Sequence, residues 1–241
     1  MNMKKKRTPI EIYNGRASQP DFCHLDDISI YLLFFILKVE DDIFYAHRGI
    51  DPFSIWWYLR IWCKKGKIYG GGSTITQQLV KNLYFTFERS WIRKIKESVL
   101  ALQFERTLSK DQILELYLNI IYFDNGQYGI SDASRFYFGK KPKELTFNQA
   151  IFFTFLLPVV GKYNPLYHPE KYAAYRDKRI RQRFSNDALQ GHIYQEIQRH
   201  GAECLDEELC HATKETDPYN KPGPLINERF GPGRPESLIH K

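Results

Sequence analysis

The run Ile28–Val39 is apolar at nearly every position and passes without a break into Glu40-Asp41-Asp42. A bilayer span needs about 20 apolar residues, so this run is too short to cross one and reads as a buried or interfacial helix. The spacing predicts a helix from Ile28 to about Lys38, apolar nearly all round. Such a helix must be covered on most sides, which calls for further elements packed around it. Acids at its C-terminal end oppose the macrodipole, so their placement calls for a reason. A carboxylate half in and half out of water can have its pKa raised by burial and serve as a general base near neutral pH. A solvated helix end is the plainer alternative for these acids taken alone.

The rest of the chain is also helical in pattern. Thr74 with Gln77 three residues on forms a capping box, which predicts a helix from Ile75 to about Leu83. Trp91, Ile95, Val99 and Leu102 recur at helical spacing over Trp91–Arg106. Ser109 with Gln112 caps a helix over Lys110–Asn119, and Ser131 to Phe138 reads as a helix that stops at Gly139. Thr146 begins an apolar helix ended by Pro158, and Tyr172–Gln198 reads as one or two helices. Phe123–Gly129, with Asp124-Asn125-Gly126, and Tyr163–Pro169 are loops. Residues 1–27 are polar and read as irregular, residues 185–216 as a helical extension, and residues 217–241 as a loose Pro- and Gly-rich tail. No alternating strand pattern and no internal repeat is found, so the fold class is all-α.

With 43% hydrophobic and 15% aromatic residues, the chain can bury a sizeable core. Its formal charge of +7 suits an anionic partner such as a phosphorylated substrate, an acidic membrane surface or nucleic acid. Nucleic acid is the weakest of these. Arg176, Lys178, Arg179, Arg181 and Arg183 cluster without a reader motif and fit a solvated helix face. Cys23, Cys63, Cys204 and Cys210 form no dense framework, and His200, Cys204, Cys210 and His211 fit no standard zinc spacing. The basic start Met1–Arg7 is followed by no h-region, and no segment reads as a signal peptide or membrane span.

Two further stretches carry chemistry. In Gly70–Asn82 small residues allow close backbone approach, exposed N–H groups at a helix start suit an anion, and Ser73, Thr74, Gln77 and Lys81 add donors. The Lys is not placed as in a P-loop. In Arg93-Lys94-Ile95-Lys96-Glu97 the acid lies at i+4 from Arg93 and i+3 from Lys94. It is either a surface ion pair or a carboxylate held ionised near a pyrophosphate that Lys81, Arg89 and Arg93 help to neutralise. Two acids in opposite settings, one apolar and one cationic, suit acid/base chemistry. Trp56, Trp57, Tyr58 and Trp62 beside Lys64, Lys65 and Lys67 suit a membrane interface, or equally a packed helix with solvated lysines.

Together these stretches resemble peptidoglycan glycosyltransferases, the transglycosylase domains of class A penicillin-binding proteins and their monofunctional relatives. The resemblance rests on Glu40-Asp41, Phe44, His47 and Gly49, then Gly72-Ser73-Thr74-Ile75-Thr76-Gln77-Gln78 with Lys81-Asn82. It continues through Arg93-Lys94 and Glu97, then Ile113-Leu114-Glu115 with Tyr117-Leu118-Asn119. Tyr128-Gly129, Tyr137-Phe138-Gly139-Lys140 and Tyr163-Asn164-Pro165 extend it, so that it runs from about residue 28 to 183.

The resemblance implies a lysozyme-like head lobe with a smaller membrane-associated jaw over residues 28–184, and no transpeptidase domain. It implies polymerisation of lipid II: the acceptor 4-hydroxyl attacks C1 of a glycan on an undecaprenyl-pyrophosphate anchor, with inversion to a β-1,4 bond. Glu40 matches the general base and Glu97 the second carboxylate, thought to help the pyrophosphate leave. Lys81, Arg89, Arg93 and Lys94 match pyrophosphate-binding positions, and Asp41, Phe44, His47, Gly72, Ser73, Thr74, Gln77, Gln78 and Asn82 match the substrate groove. Some members use a divalent cation, Mg or Mn. The implied setting is the bacterial envelope, on the outer face of the cytoplasmic membrane, with other cell-wall synthesis proteins as possible partners. Members usually carry an N-terminal membrane anchor; here the expectation is a fragment, a late start, or membrane contact through the jaw alone. Asp124 stands where a Gly is common. The other readings are a lysozyme-like hydrolase of the same polymer and a non-catalytic relative that binds a lipid-linked glycan.

Overall fold

The computed structural model of the chain describes residues 7–53, 72–85 and 91–184, together with Trp56, Arg60 and Gln195. Among the described residues the structure is helical and holds no strand; one isolated bridge joins Tyr122 and Tyr128. The helices are α1 (Pro9–Ala17), α2 (Ile30–Glu40), α3 (Ile75–Tyr84), α4 (Trp91–Thr107), α5 (Lys110–Ile120), α6 (Ile130–Phe138), α7 (Phe147–Leu156) and α8 (Pro169–Phe184). The expected all-α class is therefore observed. Most of the aromatic stretch Ser54–Lys64, residues Gly70, Gly71 and Arg89, and nearly all of the chain after Phe184 lie outside the described residues.

These residues group into two compact units. The first holds residues 7–22, 40–53, 72–85 and 91–120. Its centre is α3, which packs on α4 and α5, and Ile75, Leu79 and Val80 of α3, Ala101 and Phe104 of α4, and Ile113 and Tyr117 of α5 are all fully buried. Both expected caps form here. Thr74 Oγ1 accepts the Gln77 N–H at 3.1 Å, while Gln77 Oε1 accepts the Thr74 N–H at 3.2 Å. Ser109 and Gln112 make the same exchange at 3.2 and 3.0 Å at the start of α5. A cap of this kind stabilises a helix end by about 1 kcal/mol.

The irregular N-terminal segment expected over residues 1–27 is corrected by α1. Thr8 and Glu11 form a capping box and Pro9 supplies a preset φ in the first turn. The helix is then fastened by side chains. The Tyr13 hydroxyl donates to Glu115 Oε2 at 2.6 Å, and Arg16 pairs with Asp21 at 2.8 Å. A short 3-10 turn over Leu25–Asp27 follows.

The second unit holds residues 23–39 and 121–184. α7 is buried from Gln149 to Leu156, as its largely apolar sequence requires. Phe152 and Phe153 meet Tyr137 and Phe138 of α6 edge to face, and Phe35 of α2 packs on Phe147 and Phe184. The Phe123–Gly129 loop turns through left-handed Asp124 (φ 68°) and Asn125 (φ 50°). A buried polar knot holds it: Asn125 Nδ2 donates to the Tyr137 hydroxyl at 2.7 Å, and Asn164 Nδ2 donates to Asn125 Oδ1 at 2.8 Å. Asp124 Oδ2 accepts the Gly161 N–H at 3.1 Å. α2 begins at Ile30 and continues through Glu40, so it starts and ends two residues further along than the spacing suggested.

Candidate active site

The first unit brings the expected acids and cations onto one set of helices. Glu40 is the last residue of α2 and is half-buried. Its Oε2 accepts the side-chain amide of Gln78, on α3, at 2.8 Å. Gln78 Oε1 in turn accepts the Tyr117 hydroxyl, from α5, at 3.2 Å. Gln78, expected in the substrate groove, thus uses both ends of its amide within the protein.

The turn after Glu40 is built around Asp41. Its carboxylate is buried and accepts His47 Nε2 at 2.9 and 3.0 Å. His47 Nδ1 accepts the Gly49 N–H at 3.0 Å, which fixes the ring as the tautomer with hydrogen on Nε2. Asp41 Oδ2 also accepts the Ile75 N–H at 2.9 Å. The start of α3 therefore holds an anion, as helix starts do, but the anion is Asp41. With Thr74 and Gln77 capping each other, the N–H groups of Thr74, Ile75 and Gln77 are spent inside the protein. This corrects the reading of that helix start as an exposed anion cradle.

Thr74 Oγ1 donates to Gly49 O at 2.7 Å. Gly49 has φ +84°, and a Cβ there would lie 2.9 Å from Glu105 Cγ and 3.0 Å from Ala101 O, so only glycine fits. Phe44 is 1% exposed and offers no surface to a substrate. Its ring lies under the Lys110 ammonium, 4.3 Å from the centroid, and Lys110 pairs with Glu105 at 2.8 Å. Glu105 also accepts the Thr76 hydroxyl. Asp42 is exposed.

The second acid has the opposite surroundings. Glu97 is 2% exposed and sits between two cations of its own helix, with Oε1 3.0 Å from Arg93 Nε and Oε2 3.3 Å from Lys94 Nζ. Oε1 has that ion pair but accepts no aligned hydrogen bond. Lys94 also donates to Ser73 Oγ at 2.7 Å and to Gln77 Oε1 at 3.4 Å. Gln77 Nε2 donates to Ser98 Oγ at 3.0 Å. Lys81 joins the two acids electrostatically. Burial pushes its ammonium below the ordinary lysine value, Glu97 and Glu40 oppose that shift, and Arg93 and Lys94 add to it. Lys94 is lowered by burial too, against the charge of Glu97. Gly72 and Asn82 are half-buried at the two ends of this stretch.

A divalent cation prefers several oxygen ligands. Here each oxygen of Glu97 already faces a cation, and among the described residues no three His, Cys, Asp or Glu side chains gather to hold a metal. This donor set does not fit one. The geometry instead provides one carboxylate touched by a neutral amide, able to accept a proton, and a second surrounded by three cations, suited to a departing anion.

Sequence reasoning assigned no role to Tyr117, Glu105 or Lys110, although Tyr117 lies in one of the motif stretches. Their roles come from contacts made across the fold.

The family model described as Transglycosylase matches residues 6–185 of the 241. Penicillin-binding protein 1A of Aquifex aeolicus is 45% identical over 150 residues, which cover 62% of this chain and 21% of that protein. Penicillin-binding protein 1F of Bacillus subtilis is 42% identical over 141 residues, covering 58% and 20%. Penicillin-binding protein 1A of Escherichia coli is 40% identical over 153 residues, covering 64% and 18%. The chain thus spans about a fifth of the length of these curated relatives. The matched segment begins before α1 and ends just after α8, enclosing both acids and the cations around Glu97, and on that match the chain belongs to the transglycosylase family.

Proposed function

We propose that this chain is a peptidoglycan glycosyltransferase that polymerises lipid II into glycan strands. The observation that carries the reading is the pair of acids in opposite settings, Glu40 against the Gln78 amide and Glu97 between Arg93 and Lys94, with Lys81 coupled to both. Glu40 takes the proton of the acceptor sugar 4-hydroxyl as its oxygen attacks C1 of the donor. The bond from C1 to the pyrophosphate breaks, configuration inverts, a β-1,4 bond forms, and undecaprenyl pyrophosphate leaves. Lys81, Arg93 and Lys94 meet the developing negative charge, where preorganised cations act most strongly. Arg89 is assigned to the same role from its sequence position. Glu97 holds those cations in place; no step runs through a metal.

A pyrophosphate is already a good leaving group, so it needs cations more than a strong proton donor. A hydrolase acid would call for an apolar pocket, which Glu97 lacks.

Contact with the membrane surface belongs to the same proposal, as does a lysozyme-like head with a membrane-associated jaw at the outer face of the cytoplasmic membrane. No helix among the described residues is long and apolar enough to cross a bilayer. Ile92, Ile95 and Val99 are 66, 64 and 61% exposed, share one face of α4, and lie beside exposed Lys96. Apolar residues edged by a lysine suit the headgroup boundary.

The test is turnover of fluorescent lipid II by the purified chain in detergent, with and without divalent metal. Growing glycan chains are expected from the wild type and none from Glu40→Gln at an unchanged melting temperature. Unimpaired polymerisation by Glu40→Gln would overturn the assignment.

A further inference from the structure

We propose that Tyr117 is a positioning residue that, through Gln78, keeps Glu40 ready to accept a proton. The inference rests on the assignment of Glu40 as the base. It adds a residue that touches no substrate and stands on a relay running through the buried core.

Tyr117 is fully buried on α5, and its hydroxyl donates to Gln78 Oε1 at 3.2 Å. Gln78 Nε2 donates to Glu40 Oε2 at 2.8 Å. An amide can point either way, and the two orientations are not equivalent here. In the observed one, the amino end faces a carboxylate and the carbonyl end faces a hydroxyl, so both contacts are satisfied. In the reverse one, the carbonyl of Gln78 would face the carboxylate oxygen, which is repulsive unless Glu40 carries a proton.

The tyrosine supports the observed orientation. Burial, with Glu40 and Asp41 adding to it, holds the Tyr117 hydroxyl protonated well above the ordinary tyrosine range, so it remains a donor. A donor at Oε1 satisfies the carbonyl end while the amino end serves the acceptor-only carboxylate, and a hydrogen bond given to a carboxylate favours its ionised form. Lys81 of α3 interacts electrostatically with Glu40 and also favours its ionisation, while the neighbouring carboxylate of Asp41 carries the like charge that opposes it. Removing the hydroxyl leaves the carbonyl end of Gln78 without this donor, which loosens the hold of its amino end on Glu40 and makes Glu40 easier to protonate.

The experiment is the pH dependence of kcat/KM on fluorescent lipid II for the full chain and for Tyr117→Phe, Gln78→Leu and Glu40→Gln. Tyr117→Phe is expected to move the acid limb upward by about one pH unit. Activity should fall several-fold below neutrality and return towards wild type on the plateau. Gln78→Leu should move the same limb in the same direction, and it serves if Tyr117→Phe does not fold. An acid limb unmoved in both variants, or a profile lowered uniformly at every pH, would overturn the relay while leaving Glu40 as base intact. Full activity of Glu40→Gln would instead remove the assignment on which the relay depends.

Discussion

Asp41 accepts the backbone N–H of Ile75 at 2.9 Å, so the first turn of α3 is docked on the residue next to Glu40. The same carboxylate holds His47. Asp41→Asn keeps the size but offers one acceptor and one amino group to two donors. One of the two bonds is lost and an N–H is turned against another N–H. The expected cost is about 1–3 kcal/mol in chemical denaturation, with turnover falling in parallel because Glu40 and α3 lose their common anchor.

Gly49→Ala tests the same turn from its other end. The substitution forces a side chain into φ +84° and against the backbone of α4 at Ala101. Destabilisation of more than about 1 kcal/mol is expected, read as a lower denaturation midpoint at unchanged slope. A neutral effect would show that the turn shifts freely.

Glu97→Gln removes the anion between Arg93 and Lys94 while preserving shape. Lys94 is partly exposed and can turn to water, but Arg93 is largely buried and loses its partner, so a stability loss of about 2–4 kcal/mol is expected, towards the range of a broken buried pair. Turnover should drop by about a hundredfold or more, in line with loss of a preorganised electrostatic group. A large stability loss with modest loss of turnover would make Glu97 a structural acid.

Burial lowers the Lys81 ammonium below the ordinary lysine value. Its charge is lost as pH rises through that lowered value. Activity should therefore decline on the alkaline side earlier than an ordinary lysine would dictate. Lys81→Arg, which stays charged, should push the decline to higher pH even at reduced turnover. The alkaline limb of kcat/KM against pH is the measurement.

Much of the fold was legible because its signals are local. The caps at Thr74 and Ser109 each use a partner three residues away, and Glu97 advertises its setting through Arg93 and Lys94 on its own helix. α1 carries the same signal in Thr8 and Glu11, but its short polar sequence lacks an apolar stripe. Its standing as a packed helix comes from Tyr13 reaching Glu115, 102 residues on. The candidate site was legible as a set of residues and less so as a set of contacts. Gln78 meets Glu40 across 38 positions and Asp41 meets Ile75 across 34, separations that no pattern of spacing encodes.

Asp124 bears on how this turn is held. Its backbone sits at φ 68°, where a glycine would rest without strain, yet its carboxylate holds the N–H groups of Asn125 and Gly161. Asp124→Gly would relax the turn and at the same moment release both tethers. The side chain at this position therefore acts as a clasp on two loops, and its strained backbone is the cost of keeping them closed.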